Sequence, residues 1–319
     1  DEYNKFYLKY RNNSKMMYKT DEEINDMVLD EVINRAVIED YLYNKSGQKV
    51  SKEEASQYFE KYIKPSVAIN GGEELGADAQ LDYKTDDDRK KEAEEFLLKL
   101  KVIPGIAKEY GIDVSSDELD TKYNESKIKS TFLTAQHILI STTNRKKEEA
   151  LSLANDIYDK LSKGGSFEEL AKKYSDDKTT KDSGGGLGKI GDFLMGKQFY
   201  ESVVSNAQPK TLMKPTVTEK GVEIVYVSDV IRLYHPKDEY RNILIVGKFS
   251  VSDKLKDWTE KLKKESKIEI LDPALNAYRL YKSGDYAKAA EEYSKAYKKY
   301  GSSTYQTKEE ECKAKTKKN

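Results

Sequence analysis

Along the first 130 or so positions, apolar side chains return every three to four residues, the period of a helix with one buried face. Thr20 followed by Glu23 reads as a capping box, and Ile24, Met27, Val28, Val32, Ile33, Ala36, Val37 and Tyr41 continue the stripe. Ser46-Gly47 breaks that helix. Ser51 with Glu54 opens the next, carrying Ala55, Tyr58, Phe59 and Tyr62, and Pro65 and Gly71-Gly72 are expected to bound a loop. Asp86 to Tyr110 forms a third helical pattern through Ala93, Phe96, Leu97, Leu100 and Ile103, with Pro104 expected to kink or restart it. Ser115 or Ser116 caps a short helix through Tyr123.

The pattern then changes. Phe132 to Ile140 reads as a strand, Arg145 to Leu161 as a helix ended by Gly164-Gly165, and Ser166 with Glu169 as a capping box for a helix burying Phe167, Leu170, Ala171 and Tyr174. Phe199 to Val204 is a short helix and Val222 to Val227 a closing strand, an order that fits a small α+β domain. Further on, Asn242 to Val246 suggests a strand, and Ser252 caps a helix through Leu255, Trp258 and Leu262 that runs out in Lys267-Ile268-Glu269-Ile270-Leu271. From Pro273, small and aromatic residues flank Gly284-Asp285-Tyr286, with Ala277, Ala289, Ala290, Tyr293 and Ala296 at helical spacing. This resembles one tetratricopeptide-type hairpin. A single hairpin rarely stands alone, so it is expected to dock on the rest of the chain, a second copy or a partner. Residues 301–319 read as a polar tail, frayed or partly helical.

A length of 319 residues calls for more than one core. Hydrophobic residues make up 37% and charged residues 35%, a polar balance suited to an elongated helical molecule with much surface. The net charge of −1 gives no argument for nucleic acid or an anionic membrane as partner. The 24 tyrosines combine a large apolar face with a polar edge, which suits wet contact surfaces as well as ordinary packing. One cysteine, Cys312, excludes an internal disulfide, and with only two histidines a zinc site is not expected. No run of about 18 apolar residues is present, so no membrane-spanning helix is expected.

Candidate chemistry concentrates between Thr134 and Asp229. Ala135-Gln136-His137-Ile138-Leu139-Ile140 is followed by Ser166-Phe167-Glu168-Glu169-Leu170-Ala171, Tyr174-Ser175-Asp176-Asp177, Gly184-Gly185-Gly186-Leu187-Gly188 and Gly221-Val222-Glu223-Ile224-Val225-Tyr226-Val227. That succession resembles a parvulin-type peptidyl-prolyl isomerase domain, and the flanking helices resemble the framework of secreted folding factors of the SurA/PrsA type. The glycine-rich stretch is not a phosphate loop, because no Ser or Thr follows Lys189. Asn144-Arg145-Lys146-Lys147 could hold an anion but reads better as a solvated helix start.

The resemblance implies a proline pocket of Leu187, Met195 and Phe199, with Ile190 where an aromatic is commoner, and a polar set of His137 and Asp177. It also exposes a departure. Parvulins usually carry a second histidine in the closing strand, where this chain has Glu223, expected to accept a hydrogen bond from His137 while adding negative charge near Asp177. The implied reaction needs no cofactor. Rotation about an X-Pro bond faces a barrier of about 18–20 kcal/mol, and a pocket that grips the ring and favours the twisted amide lowers it by differential binding.

The resulting expectation is an α+β multidomain protein: a SurA-like helical chaperone module (1–130), an inserted parvulin domain of FKBP-like β-α-β type (131–231), a return segment (232–272), a helical hairpin (273–300) and a tail (301–319). Expected partners are unfolded or nascent exported and outer-membrane proteins and their X-Pro segments, with neither nucleic acid nor a membrane span. A homodimer or a partner docked through the hairpin stays open. The expected location is the periplasm or extracytoplasmic envelope, with a signal peptide removed and a lipid anchor undecided. Three alternatives stand beside this: a chaperone with an inactive parvulin fold, a structural envelope protein docking through the hairpin, and a dedicated isomerase for one client.

Overall fold

The computed structural model describes residues 2–69, 84–191, 197–204 and 206–317, and of residues 2, 197–199 and 202 the backbone alone. The expected Gly71-Gly72 loop and Met195 fall outside the described residues. Two compact units emerge. The first combines residues 1–49, 105–110 and 248–319, and the second residues 50–104 and 111–247.

The first unit holds α1 (Glu2–Arg11) and α2 (Asp21–Asp40), and the second begins with α3 (Lys52–Tyr58) and α4 (Lys64–Ile69). The expected capping box of α2 is formed: Thr20 accepts from the Glu23 N–H and its own N–H donates to the Glu23 carboxylate at 2.8 Å. Ser51 and Glu54 do the same for α3. Pro65 does not end that helix. A π-helical turn over Phe59–Ile63 joins α3 to α4, and the Lys64 N–H bonds back to Phe59. The wider turn lets the chain continue into a residue that has no N–H to give.

The helix α5 (Asp86–Glu109) keeps Pro104 inside it and gives its last turn to the first unit. α6 (Ser116–Lys129) runs beyond the expected end at Tyr123 to reach the sheet. The sheet is entirely antiparallel, with β1 (Thr131–Ser141), β2 (Gly186–Ile190), β3 (Thr211–Leu212), β4 (Thr216–Val217) and β5 (Gly221–Arg232). β1 pairs with β2 on one side and β5 on the other, and β3 and β4 pair with β5. One face buries Ile138, Ile140, Val222 and Ile224 under α7 (Lys147–Ser162) and α8 (Phe167–Tyr174). The other buries Leu133, Ala135, Val225 and Val227 with Ile190 and with Tyr200 and Val203 of α9 (Lys197–Val204).

At the base of this domain the Leu233 N–H donates to the Ser130 carbonyl at 2.7 Å, so the entering and leaving chains lie side by side. The departing chain becomes α10 (Lys237–Ser250), a helix where a strand was expected over Asn242–Val246. The short β-branched run is one stretch of a longer helical stripe that buries Ile245 and Phe249 four residues apart. Beside α10, His235 is stacked against Tyr58 and Tyr62.

The first unit is completed by α11 (Asp253–Glu265), α12 (Pro273–Ser283), α13 (Tyr286–Tyr300) and α14 (Ser303–Thr316). Trp258 of α11 meets Tyr41 edge-on, with centroids 5.3 Å apart, above the buried stripe of α2 (Ile24, Val28, Leu29, Ile33 and Val37). The hairpin expected from Pro273 is formed by α12 and α13. Asp272 caps α12, Gly284 turns in the left-handed region at φ 86°, and Asp285 caps α13. It docks on α2. Asp26, only 7% exposed, accepts from Arg279 at 2.9 Å and Lys282 at 2.6 Å, and Arg279 also reaches Asp30. The expected tail is helical over α14, and Cys312 is buried with Ala277, Ala289, Ala290 and Tyr293. Among the described residues, no helix is long and apolar enough to cross a membrane.

Candidate active site

β1 and β5 are registered so that His137 lies opposite Val225 and Leu139 opposite Glu223. Alternation puts His137 and Glu223 on the same face as diagonal neighbours, within reach of long side chains. His137 Nδ1 and Glu223 Oε2 are 2.9 Å apart, and both residues are 3% exposed.

Asp177 arrives from the other side. Beyond Gln136, where its pairing with β2 stops, β1 is joined by the segment that follows α8. The Asp176 N–H donates to the Leu139 carbonyl at 2.8 Å, and the Ser141 N–H donates to the Asp176 carboxylate at 2.9 Å. This zipper sets Asp177 Oδ2 2.8 Å from His137 Nε2. Thr180 Oγ1 lies 2.9 Å from the same nitrogen and donates to Asp177 Oδ2 at 2.7 Å. Thr179 donates twice, through its N–H and its hydroxyl, to Asp177 Oδ1.

The loop closes on the strand through Gly185, whose carbonyl accepts the His137 N–H at 2.8 Å. Gly185 has φ +79°, and a Cβ there would collide with the His137 carbonyl oxygen, so the glycine is required by both conformation and space.

Electrostatics follow from this geometry. Burial would lower the His137 pKa, but the hydrogen bonds and charges of Glu223 and Asp177 more than offset it and hold it above its ordinary value. Burial would raise the Asp177 carboxyl, yet the Thr179, Thr180 and His137 donors hold it well below the usual carboxylate range. The imidazole stands between the two acids and gives one nitrogen to each. This arrangement meets the expected crowding of negative charge around Asp177: an imidazolium donates both N–H groups and compensates both neighbours.

The apolar candidates divide. Leu187 is half-buried against the cluster under α9, and Ile190 is fully part of that core, opposite Leu133. Phe199 lies on α9. Among the described residues, no group of three or more His, Cys, Asp or Glu is placed to hold a metal. Arg145 of the basic run is bound to Asp176 at 2.5 Å, so it is engaged by the segment beside the site rather than simply solvated at a helix start. Thr179 and Thr180 were missed by sequence reading, although hydroxyls two and three residues after an Asp are a turn signal.

A sheet whose first strand bears His137, whose glycine pair folds back on it and whose last strand supplies Glu223 falls within residues 121–231, which match the family model for a PPIC-type PPIASE domain. The chain carries a parvulin-type isomerase domain. Its relatives bear the names of folding factors. It is 30% identical over 201 residues to the foldase protein PrsA of Caldanaerobacter subterraneus subsp. tengcongensis, covering 62% of this chain and 60% of that one. It is 31% identical over 137 residues to the chaperone SurA of Chromohalobacter salexigens, covering 42% of this chain and 31% of that one. The chain thus spans less than two thirds of the length of these relatives. A crystal structure of PrsA from Bacillus cereus is 21% identical, with a TM-score of 0.30 and coverage of 81% of this chain and 90% of that one.

Proposed function

We propose that the chain is an extracytoplasmic folding factor whose parvulin domain binds X-Pro segments and isomerises them, while the helical parts hold non-native stretches of exported proteins. The observation that carries this reading is the buried His137, held between Glu223 and Asp177 inside a PPIC-type domain. His137, Asp177 and Glu223 form the polar wall, and Leu187, Met195 and Phe199 grip the proline ring, with Ile190 at the wall position where an aromatic is commoner. The half-buried Leu187 supports that role, whereas Ile190, closed into the core beneath α9, acts through packing rather than by touching the ring. Such a site needs no cofactor. It acts by fitting the twisted amide better than the planar one. Residues 131–231 act as an insertion in the helical framework, a reading supported by the adjacent chain ends at Ser130 and Leu233. A periplasmic or other extracytoplasmic location accords with the names of the relatives.

A second reading, a parvulin fold kept for binding alone, is favoured by Glu223 at the place of the usual second histidine. A protease-coupled cis/trans assay on X-Pro peptides decides between them, with wild type, Asp177→Ala and Glu223→His measured together. Catalysis in wild type that falls about tenfold in Asp177→Ala, the equivalent of one charge-assisted contact, supports a working site. A silent wild type with activity gained in Glu223→His leaves the binding role alone.

A further inference from the structure

The least conspicuous member of the site is the one with no fixed polarity. Among the described residues, the hydrogen-bond partners of the His137 ring are Glu223 on Nδ1, and Asp177 and Thr180 on Nε2. Glu223 comes from β5 and Asp177 from the loop after α8, and both are carboxylates. When ionised they can only accept. An imidazolium satisfies them with two N–H groups. A neutral imidazole cannot, because one ring nitrogen then turns a lone pair toward an acceptor. Thr180 is different, since its hydroxyl can donate or accept by rotating. In the cationic site its proton lies on Asp177 Oδ2, 2.7 Å away, and its oxygen accepts from Nε2 at 2.9 Å. If Nε2 loses its proton, the same hydroxyl can turn and donate to it, leaving Nδ1–H on Glu223.

The backbone keeps Thr180 in place for this. Its carbonyl accepts the Gly185 N–H at 2.8 Å and the Ser183 N–H at 3.1 Å, and Gly185 is itself bonded to His137. The Thr180 backbone is therefore fixed relative to the ring by a closed loop of contacts, its hydroxyl oxygen is held between His137 and Asp177, and the hydroxyl proton can turn about the C–O bond.

We infer that Thr180 is a positioning residue whose rotating hydroxyl determines which nitrogen of neutral His137 carries the proton and so keeps the ring in one orientation in both charge states. The inference rests on the proposed site, but its test does not rest on catalysis.

The test is a pH titration of the full-length protein followed by 15N and 13C shifts of the imidazoles. The chain has two histidines, so His137→Gln assigns the signals. In wild type, neutral His137 should show Nδ1 protonated and Nε2 bare. In Thr180→Val the neutral ring loses its donor to Nε2; the imidazolium loses only the shared half of a bond that Asp177 keeps, and Asp177, freed of a competing donor, pulls harder on the Nε2 proton. The His137 midpoint should therefore rise by about half to one pH unit, the equivalent of one neutral hydrogen bond, and the neutral tautomer should shift toward Nε2–H. Thr180→Ser should restore both. Thr179→Val, which touches Asp177 but not the ring, should leave the tautomer as it is. An unchanged midpoint and tautomer in a folded Thr180→Val overturns the inference, as does a change that Thr180→Ser fails to reverse. If wild type proves catalytically silent while the titration shifts as expected, the isomerase reading falls and the role of Thr180 stands. Normal catalysis with no titration shift has the opposite meaning.

Discussion

Replacing Glu223 by Gln keeps the shape of the side chain and removes its charge where that charge is best shielded from water. Glu223 and His137 are each 3% exposed, and the bond between them is 2.9 Å. Burial alone would push the His137 proton off, and the raised pKa means that attraction to the two acids exceeds that cost. A hydrogen bond to a charged group contributes about 1.5–3 kcal/mol, and the amide retains an uncharged bond, so Glu223→Gln should cost about 2 kcal/mol. With a urea slope of about 1–3 kcal/mol per molar, the midpoint should fall by about 1 M. Because the folded pKa lies above the unfolded one, the contribution is full below the unfolded value of about 6.5 and is lost as pH rises through the folded value. The gap between wild type and Glu223→Gln should therefore be widest near pH 6 and narrow on the alkaline side. Urea unfolding of the full-length chain, followed by methyl signals of Ile138 and Ile224, isolates the sheet from the other unit. A gap that stays constant with pH, or a variant more stable than wild type at about pH 6, would refute the reasoning.

Two further outcomes are expected. Asp26→Asn takes the charge from the point where Arg279 and Lys282 converge, and because those cations keep 26% and 56% side-chain exposure the cost should be about 1–3 kcal/mol, below that of a fully buried pair. Hydrogen exchange should quicken in α12 and α13 with little change in the sheet. Gly185→Ala forces a Cβ into the His137 carbonyl at a positive φ, and should destabilise by more than the ~1 kcal/mol that a strain-free Gly→Ala change can add to stability. Thermal unfolding of the full chain checks it, and a neutral result would mean that the loop does not bind the strand as described.

Helix starts were legible because their chemistry is local. Thr20 with Glu23 and Ser51 with Glu54 need only each other and the intervening turn. The hairpin turn at Gly284-Asp285 was readable for the same reason. β2 was not, since Gly186-Leu187-Gly188-Lys189-Ile190 has neither alternation nor β-branched enrichment and becomes a strand only because β1 offers it an edge. Asn242–Val246 misled in the opposite sense, as five residues are too few to separate a strand from one stretch of helix. His137 and Asp177 stood out by motif, and Glu223 by its place in the closing strand. Thr180 carries no comparable mark, because its meaning lies in its distance from a ring 43 positions away. The docking of α12 on α2 was likewise left open between three hosts, because Asp26 and Arg279 are 253 positions apart.

That separation sets an order of events for a chain delivered from its N-terminal side. The second unit ends at Gly247 and can close its own contacts once that residue is present. α2 cannot. It packs against α11 and α12, which follow far later, and loop closure over such a span is slow. During the interval α2, which carries the apolar residues Ile24, Val28, Leu29, Ile33 and Val37, lacks the part of its packing that α11 and α12 supply, and a chain detained at this stage exposes a surface open to aggregation. A helix made before the second unit is thus completed only after it.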